Sequence, residues 1–196
     1  MTPFRLGLTG SIGMGKSTTA GFFRAAGVPV WDADAAVHRL YQAGGAAVAP
    51  IGRRFAQVIV EGAVDRAVLK SLLIADPAVL PDLEGIVHPL VADDRAAFQA
   101  MAASDIVVFD IPLLFEKGTE AEMDATLLVT APPSVQRARV MARPGMTEAQ
   151  FSALLSRQMP DTDKRARATH IIETLGIEAA QACVTALIAH IRNSLL

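Results

Sequence analysis

The feature that most constrains this chain is a glycine-rich stretch near its start, GSIGMGKST, which spans residues 10–18. It fits the pattern G-x-x-x-x-G-K-[ST]. Such glycines let the backbone curl so that several N–H groups face a phosphate, and the following helix presents its positive end to the same anion. An ordinary glycine-rich turn gives no reason for a lysine beside a serine at the start of a helix. The stretch therefore predicts a nucleotide site, formed by Gly10, Ser11, Gly13, Met14, Gly15, Lys16, Ser17 and Thr18.

The order of elements around this loop predicts a parallel sheet. An apolar run precedes the loop, a helical pattern follows it, and VPVW is a second strand candidate. A strand, a helix and a strand in this order form a βαβ unit. DIVVFDI and ATLLVT are short apolar runs typical of strands buried on both faces, and HIIET is a last short strand candidate. We therefore expect an α/β fold in three layers with a parallel sheet in the middle.

Residues 39–103 interrupt this pattern and predict an inserted domain. They are rich in Ala, Leu and Val at helical spacing, with breaks at Gly44, Gly45, Gly62, Pro77, Pro81 and Pro89. We expect several helices there and no strand, while residues 1–38 and 104–196 form the core. His88 directly precedes a proline, which favours an extended backbone at that position.

Composition excludes several classes of function. Apolar residues make up 52% of the chain and charged residues 19%, as in globular proteins. A formal net charge of −2 argues against a nucleic-acid binder. The single cysteine, Cys183, excludes an internal disulfide and is expected to pack inertly on the last helix. With no secretory leader and no apolar run of ~18 residues, we expect a cytoplasmic protein without a membrane partner, either monomeric or weakly self-associating.

Asp110 ends the buried strand in VVFDIPLLFE. Ligands collect at the carboxyl ends of the strands in an open parallel sheet, so Asp110 is expected beside Lys16. Its carboxylate and the Ser17 hydroxyl are the predicted ligands of Mg²⁺. The alternative is a solvated aspartate at a strand end.

Two further acidic residues follow the second strand, in VWDADAAV. If the chain is extended there, Asp32 and Asp34 point to the same side. A phosphotransferase needs a carboxylate that orients, or deprotonates, an acceptor hydroxyl in line with the γ-phosphate. Asp34 suits that role, with Asp32 on substrate or on metal-bound water. The alternative is that one of them caps the next helix.

Arginines after the fourth strand predict a lid over residues 134–167. If residues 134–143 form one helix, Arg139 and Arg143 share a face and can reach the γ-phosphate of ATP. A second helix follows, with Thr147 as its N-cap. A lid keeps water from the γ-phosphate. The alternative is a solvated basic face.

Taken in order, these segments resemble the dephospho-coenzyme A kinase family over nearly the whole chain. The resemblance is carried by GLTGSIGMGKST, VPVWDADAAVHRL, LEGIVHPLV, FDIPLLFE and the spacing of Gln136, Arg139, Arg143 and Gln158. It implies a P-loop kinase core with an inserted helical substrate domain and a helical lid. Ser11, Met14 and Thr169 depart from the residues usual in that family.

The resemblance implies transfer of phosphate from ATP, with Mg²⁺, to the ribose 3′-hydroxyl of dephospho-coenzyme A, the last step of coenzyme A synthesis. It makes Lys16, Asp34 and Arg143 the expected catalytic residues. The residues expected around the acceptor are Asp32, Asp34, Glu84, His88, Pro112, Leu113 and Leu114.

Two other functions are alternatives for a chain with a phosphate loop. A nucleotide-dependent switch would need a guanine-specifying Asn-Lys-x-Asp, which the sequence lacks. A kinase for another small acceptor, such as a nucleoside monophosphate, stays open on residue chemistry alone.

Overall fold

The structure is a computed structural model that describes residues 2–195. Its strands are β1 Phe4–Thr9, β2 Val30–Asp32, β3 Ile59–Val60, β4 Ala63–Val64, β5 Ile106–Asp110, β6 Ala125–Thr130 and β7 His170–Glu173. Its helices are α1 Lys16–Ala25, α2 Ala33–Tyr41, α3 Val48–Arg54, α4 Arg66–Ala75, α5 Leu80–Met101, α6 Pro133–Met141, α7 Glu148–Leu155, α8 Asp161–Arg167 and α9 Ile177–Ser194. Short 3₁₀ turns lie at Ala56–Val58, Pro77–Val79 and Thr119–Glu122.

Five strands form the main sheet in the order β2-β5-β1-β6-β7. The β1–β5, β1–β6 and β6–β7 pairs are parallel, as the sequence predicted. All residues of β5 and β6 are buried, which confirms that these apolar runs are covered on both faces. Because parallel strands end at the same edge, the carboxyl ends of β1, β5 and β6 lie together.

The chain divides into two compact units. The first contains the chain up to Trp31 and from Ala102 onward, and its core joins the sheet to α1 and α9. The second is Asp32–Met101, whose core is made by α2, α3, α4 and α5. Helix α2 therefore belongs to the second unit, whereas the sequence pattern predicted that the first segment of the core extends to residue 38.

The second unit departs from the prediction in two places. It contains a strand pair, β3–β4, whose turn places Glu61 and Gly62 at positive φ values of 49° and 76°. Helix α5 continues through Pro89, so His88 is helical and not extended. Proline removes one helical hydrogen bond. Burial of Leu83 and Val87 in the core offsets that loss, since both lie on the same helix.

The predicted elements of the lid are shorter than expected. Helix α6 ends at Met141, so Arg143 lies beyond it and shares no helical face with Arg139. Thr147 caps α7 as predicted, and its side chain and that of Gln150 form a capping box.

Cys183 is exposed, contrary to expectation, because the buried face of α9 runs through Ala180, Val184, Leu187 and Ile191. No described helix has the length and apolar character that crossing a membrane requires.

Candidate active site

The glycine-rich loop connects β1 to α1 with two glycines in the left-handed region. Gly13 has a φ of 78° and Gly15 a φ of 89°. A Cβ at Gly13 would lie 2.5 Å from Cγ2 of Val140, and one at Gly15 would lie 3.0 Å from Oγ1 of Thr174. Both backbone angle and space therefore require glycine there. Position 11 does not require glycine, because Ser11 has no positive φ. Among the described residues, the non-glycine residues with a positive φ are Glu61 and Leu113.

The first turn of α1 is suited to an anion. No side chain of the described residues caps this helix end, and its first turn contains no acidic residue. Its first N–H groups therefore lack a side-chain acceptor and carry the positive end of the helix dipole. Ser17 and Thr18 in this turn are exposed. A phosphate group would supply the missing acceptors and the negative charge.

Lys16 and Asp110 lie together, as predicted. Lys16 Nζ donates a hydrogen bond of 2.5 Å to Asp110 Oδ1. The carboxylate side chain is 3% exposed, whereas that of the lysine is 18% exposed. The ammonium group thus compensates a buried negative charge at the carboxyl end of β5 while remaining reachable from solvent.

Met14 holds the loop in place. Its Sδ accepts a hydrogen bond of 3.0 Å from the Ala131 N–H, beyond the end of β6. Its own N–H donates to the Ser11 carbonyl. Its N–H is therefore used within the loop.

Thr174, just after β7, is a site residue that no sequence motif indicated. It is buried, and its hydroxyl lies 2.9 Å from the Met14 carbonyl oxygen. Arg139 donates to it through Nη1 at 2.9 Å and donates through Nη2 to its carbonyl oxygen. Arg139 is thereby held beside the loop, close to Gly15. The signal available in the sequence was the position of Thr174 at the carboxyl end of the last strand.

Two glutamines hold Ile12, on the other side of the loop. Gln136 Nε2 donates to the Ile12 carbonyl at 2.8 Å, and the Ile12 N–H donates to Gln158 Oε1 at 3.1 Å. Gln136 belongs to α6 and Gln158 follows α7. Segments more than 120 residues away in sequence therefore fix the shape of the phosphate loop.

Similarity to known proteins identifies the family of this chain. Residues 4–178 match the dephospho-CoA kinase family, CoaE. A protein from Cereibacter sphaeroides named dephospho-CoA kinase is 68% identical over 194 residues, which cover 99% of this chain and 98% of that protein.

The chain belongs to the dephospho-CoA kinase family. It is an ATP-dependent kinase with a P-loop kinase fold. The crystal structure of TT1252 from Thermus thermophilus has a TM-score of 0.85 and 38% identity, and the match covers 97% of this chain and 98% of that one. The structure of dephospho-CoA kinase from Campylobacter jejuni has a TM-score of 0.72 at 20% identity, covers 98% of both chains and supports the fold alone.

In this dephospho-CoA kinase family member, the two aspartates at the end of β2 and the start of α2 have different surroundings. Asp32 is the N-cap of α2, and its carboxylate accepts a hydrogen bond of 2.9 Å from the Ala35 N–H. The capping alternative is therefore correct for Asp32. The expectation that Asp32 and Asp34 share one side of a strand is wrong, because α2 begins at Ala33. Asp34 is exposed in the first turn of that helix.

The residues expected around the acceptor lie in both units. In the second, Glu84 and His88 are one turn apart on α5, with 3.8 Å between Oε1 and Nε2. In the first, Pro112 is half-buried and Leu113 has a φ of 59°, a conformation that costs free energy in a residue other than glycine. The Leu114 side chain is fully buried in the core, so it does not reach solvent.

Thr169 is the third departure from the family pattern, and its hydrogen bonds explain its position. Thr169 pairs with Thr126, accepting from its N–H and donating its own N–H to Thr126 Oγ1. Both lie at the amino ends of β6 and β7, the sheet edge opposite the phosphate loop. Arg143, which the resemblance makes a catalytic residue, is exposed in the segment after α6.

Proposed function

We propose that this family member transfers the γ-phosphate of ATP to the ribose 3′-hydroxyl of dephospho-coenzyme A. The observation that carries this proposal is the phosphate loop itself: an uncapped helix start next to a lysine paired with the buried Asp110. Phosphoryl transfer needs little covalent chemistry from the protein. It depends on positioning and on groups that stabilise charge on the transferred phosphoryl oxygens.

The nucleotide side uses the loop and its supports. The loop amides and the first turn of α1 bind phosphate oxygens, and Lys16 contacts the β- and γ-phosphates. Arg139, held beside the loop by Thr174, adds a second positive charge. Arg143 reaches the γ-phosphate from the exposed turn after α6 and stabilises negative charge on its oxygens.

Ser17 and Asp110 are the candidate ligands of Mg²⁺. They supply a hydroxyl and a carboxylate, the hard oxygen donors that Mg²⁺ prefers. No group of three or more His, Cys, Asp or Glu side chains within the described chain could hold a metal by itself. This donor set fits an ion that is bound mainly through nucleotide phosphates. When bound, Mg²⁺ neutralises charge on the β- and γ-phosphates.

The acceptor side depends on Asp34. Its exposed carboxylate accepts the proton, or the hydrogen bond, of the acceptor hydroxyl and directs that oxygen toward phosphorus. Asp32 stabilises the helix that carries Asp34, in addition to any contact with substrate. Glu84, His88, Pro112 and Leu113 are the further residues proposed to contact the acceptor.

The test is an assay of ADP release with ATP and Mg²⁺, comparing dephospho-coenzyme A with nucleoside monophosphates. We expect ADP release when dephospho-coenzyme A is the acceptor and none with nucleoside monophosphates. Phosphorus NMR should locate the new phosphate on the 3′-oxygen. Equal turnover of a nucleoside monophosphate would refute the assignment of the acceptor. The cytoplasmic location, the lack of a nucleic-acid partner and the monomeric or weakly associated state remain predictions from the sequence.

A further inference from the structure

Lys164, on α8, is a fully buried cation that the proposed mechanism does not use. Its Nζ lies 2.9 Å from Oε1 of Glu116, and the two side chains are 1% and 14% exposed. The Met159 N–H donates to the same carboxylate oxygen at 2.8 Å. Burial by itself raises the pKa of Glu116, but Lys164 and the Met159 N–H outweigh burial, so the pKa lies below its ordinary value. The carboxylate is therefore charged at neutral pH.

Stability alone is a weak reason for such a pair. The free energy needed to remove two charges from water offsets much of the free energy gained from their attraction. Proteins with neutral side chains of similar volume in the same place are often as stable. The geometry of this pair is also imperfect. Among the described residues, neither Lys164 Nζ nor Glu116 Oε2 has a partner that meets the geometry of a hydrogen bond. A buried ion pair does, however, fix the relative positions of the segments that carry it.

The pair joins the segment after β5 to the segment that contains α8, and both segments are close in sequence to residues of the candidate site. Glu116 lies two positions after the Pro112–Leu114 run. Met159 directly follows Gln158, whose side chain accepts the hydrogen bond of the Ile12 N–H. Residues 158–164 are thus attached to the phosphate loop at one end and to the stretch after β5 at the other.

A second set of contacts supports the same attachment. The Arg167 guanidinium, at the end of α8, lies 5.4 Å from the centre of the Phe115 ring and pairs with Glu120. Helix α8 is therefore held along its length against residues 115–120. All of these residues belong to the first compact unit.

We propose that Glu116 and Lys164 are positioning residues that hold Gln158 against Ile12. This proposal rests on the proposed function, since Gln158 lies three positions after the end of the predicted lid helix α7. The pair sets where the chain leaves the lid relative to the phosphate loop and to the Pro112–Leu114 run. Loss of the pair lets Gln158 shift, and the site then admits water to the γ-phosphate.

The main test variant combines Glu116→Gln with Lys164→Met, which removes both charges and nearly preserves side-chain volume. We measure acceptor phosphorylated per ATP consumed, together with kcat and KM. The ratio of acceptor phosphorylated to ATP consumed should fall on the order of tenfold. A small displacement of the site slows transfer to the acceptor steeply, whereas hydrolysis by water needs no positioned acceptor. Gln158→Leu should give the same defect, and adding it to the double variant should reduce the ratio no further.

The matched control is Arg192→Met, which removes an ion pair with Asp105 in the same unit, away from this cluster. It should leave the ratio unchanged. An unchanged ratio in the folded double variant, or in Gln158→Leu, would overturn the proposal, as would fully additive effects. Should the double variant not fold, Lys164→Met takes its place, because the Met159 N–H still donates to the Glu116 carboxylate in that variant.

Hydrogen exchange of the Ile12 amide, followed by NMR without any acceptor, tests the positioning step separately from the reaction. Exchange should be faster in the double variant than in the wild type or in Arg192→Met. Unchanged exchange would refute the positioning role even in an active enzyme. Failure of the wild type to phosphorylate dephospho-coenzyme A would refute the proposed function instead, and the exchange measurement would still decide on positioning.

Discussion

Lys16 and Asp110 form an ion pair of 2.5 Å although they lie 94 positions apart in sequence. The lysine begins α1 and the aspartate ends β5, and β5 lies directly beside β1 in the sheet. The parallel arrangement of these strands brings a cation that binds phosphate and a carboxylate suited to a metal to the same edge. Each depends on the other, since Asp110 is too deeply buried to carry its charge without compensation.

Lys16→Met should abolish phosphoryl transfer, with a loss of roughly a thousandfold or more, because the variant lacks the charge that contacts the β- and γ-phosphates. The fold should survive, although unfolding should become easier as Asp110 loses its partner. Lys70→Met, at an exposed position on α4, is the control. Kinetics and circular dichroism measure the two effects, and a fully active Lys16→Met enzyme would contradict the assigned role.

Asp110→Asn should increase the Mg²⁺ concentration needed for half-maximal activity, because a neutral amide is a weaker metal ligand than a carboxylate. Titration of activity with Mg²⁺ at saturating ATP measures this shift. An unchanged Mg²⁺ requirement would show that Asp110 serves only to neutralise Lys16.

Asp34→Asn should lower kcat by on the order of a hundredfold or more while leaving ATP affinity nearly unchanged, since the carboxylate acts on the acceptor hydroxyl. Asp93→Asn makes the same change at an exposed position on α5 and should have little effect. Steady-state kinetics and calorimetry with a non-hydrolysable ATP analogue separate the two quantities. Equal losses of turnover and ATP affinity would point instead to metal binding by Asp34.

Gly13→Ala should impair ATP binding strongly. Its φ of 78° disfavours any side chain, and the new Cβ would lie 2.5 Å from Val140 Cγ2. Gly21→Ala is the matched control, because Gly21 lies inside α1 and nothing within 4 Å would meet its Cβ. That control should stabilise the protein by ~0.5–1 kcal/mol through helix propensity. Wild-type ATP affinity in Gly13→Ala would show that the loop adapts.

Asp124→Asn should weaken the dependence of stability on acid pH. Hydrogen bonds from the Arg5 side chain lower the pKa of Asp124 below its ordinary value of 3.8. A lowered folded-state pKa contributes stability above the unfolded value, and that contribution disappears as pH falls through the folded value. The variant should therefore be less stable at pH 7 and should lose less stability below about pH 4. Urea unfolding at several pH values measures both, with Asp93→Asn as control, and identical acid dependence in variant and wild type would refute the linkage.

Local chemistry made much of this protein predictable. Ala125–Thr130 is a strand with the bounds that ATLLVT predicted, because short apolar runs between breakers favour strands buried on both faces. The Thr147 cap was predictable from a hydroxyl at the start of a helical pattern. Rules of the same kind failed at Pro89, where the packing of α5 outweighs the cost of a lost backbone hydrogen bond.

The sequence by itself determined the phosphate loop, the parallel strands around it and the family, because glycine conformation, apolar runs and motif order are properties of neighbouring residues. Only the tertiary structure decided that Thr174 holds Arg139 and that Gln136 and Gln158 enclose Ile12. It also decided that Lys164 is buried against Glu116. These contacts join residues far apart in the chain, and the packing of helices on the sheet sets their distances, so no local pattern encodes them.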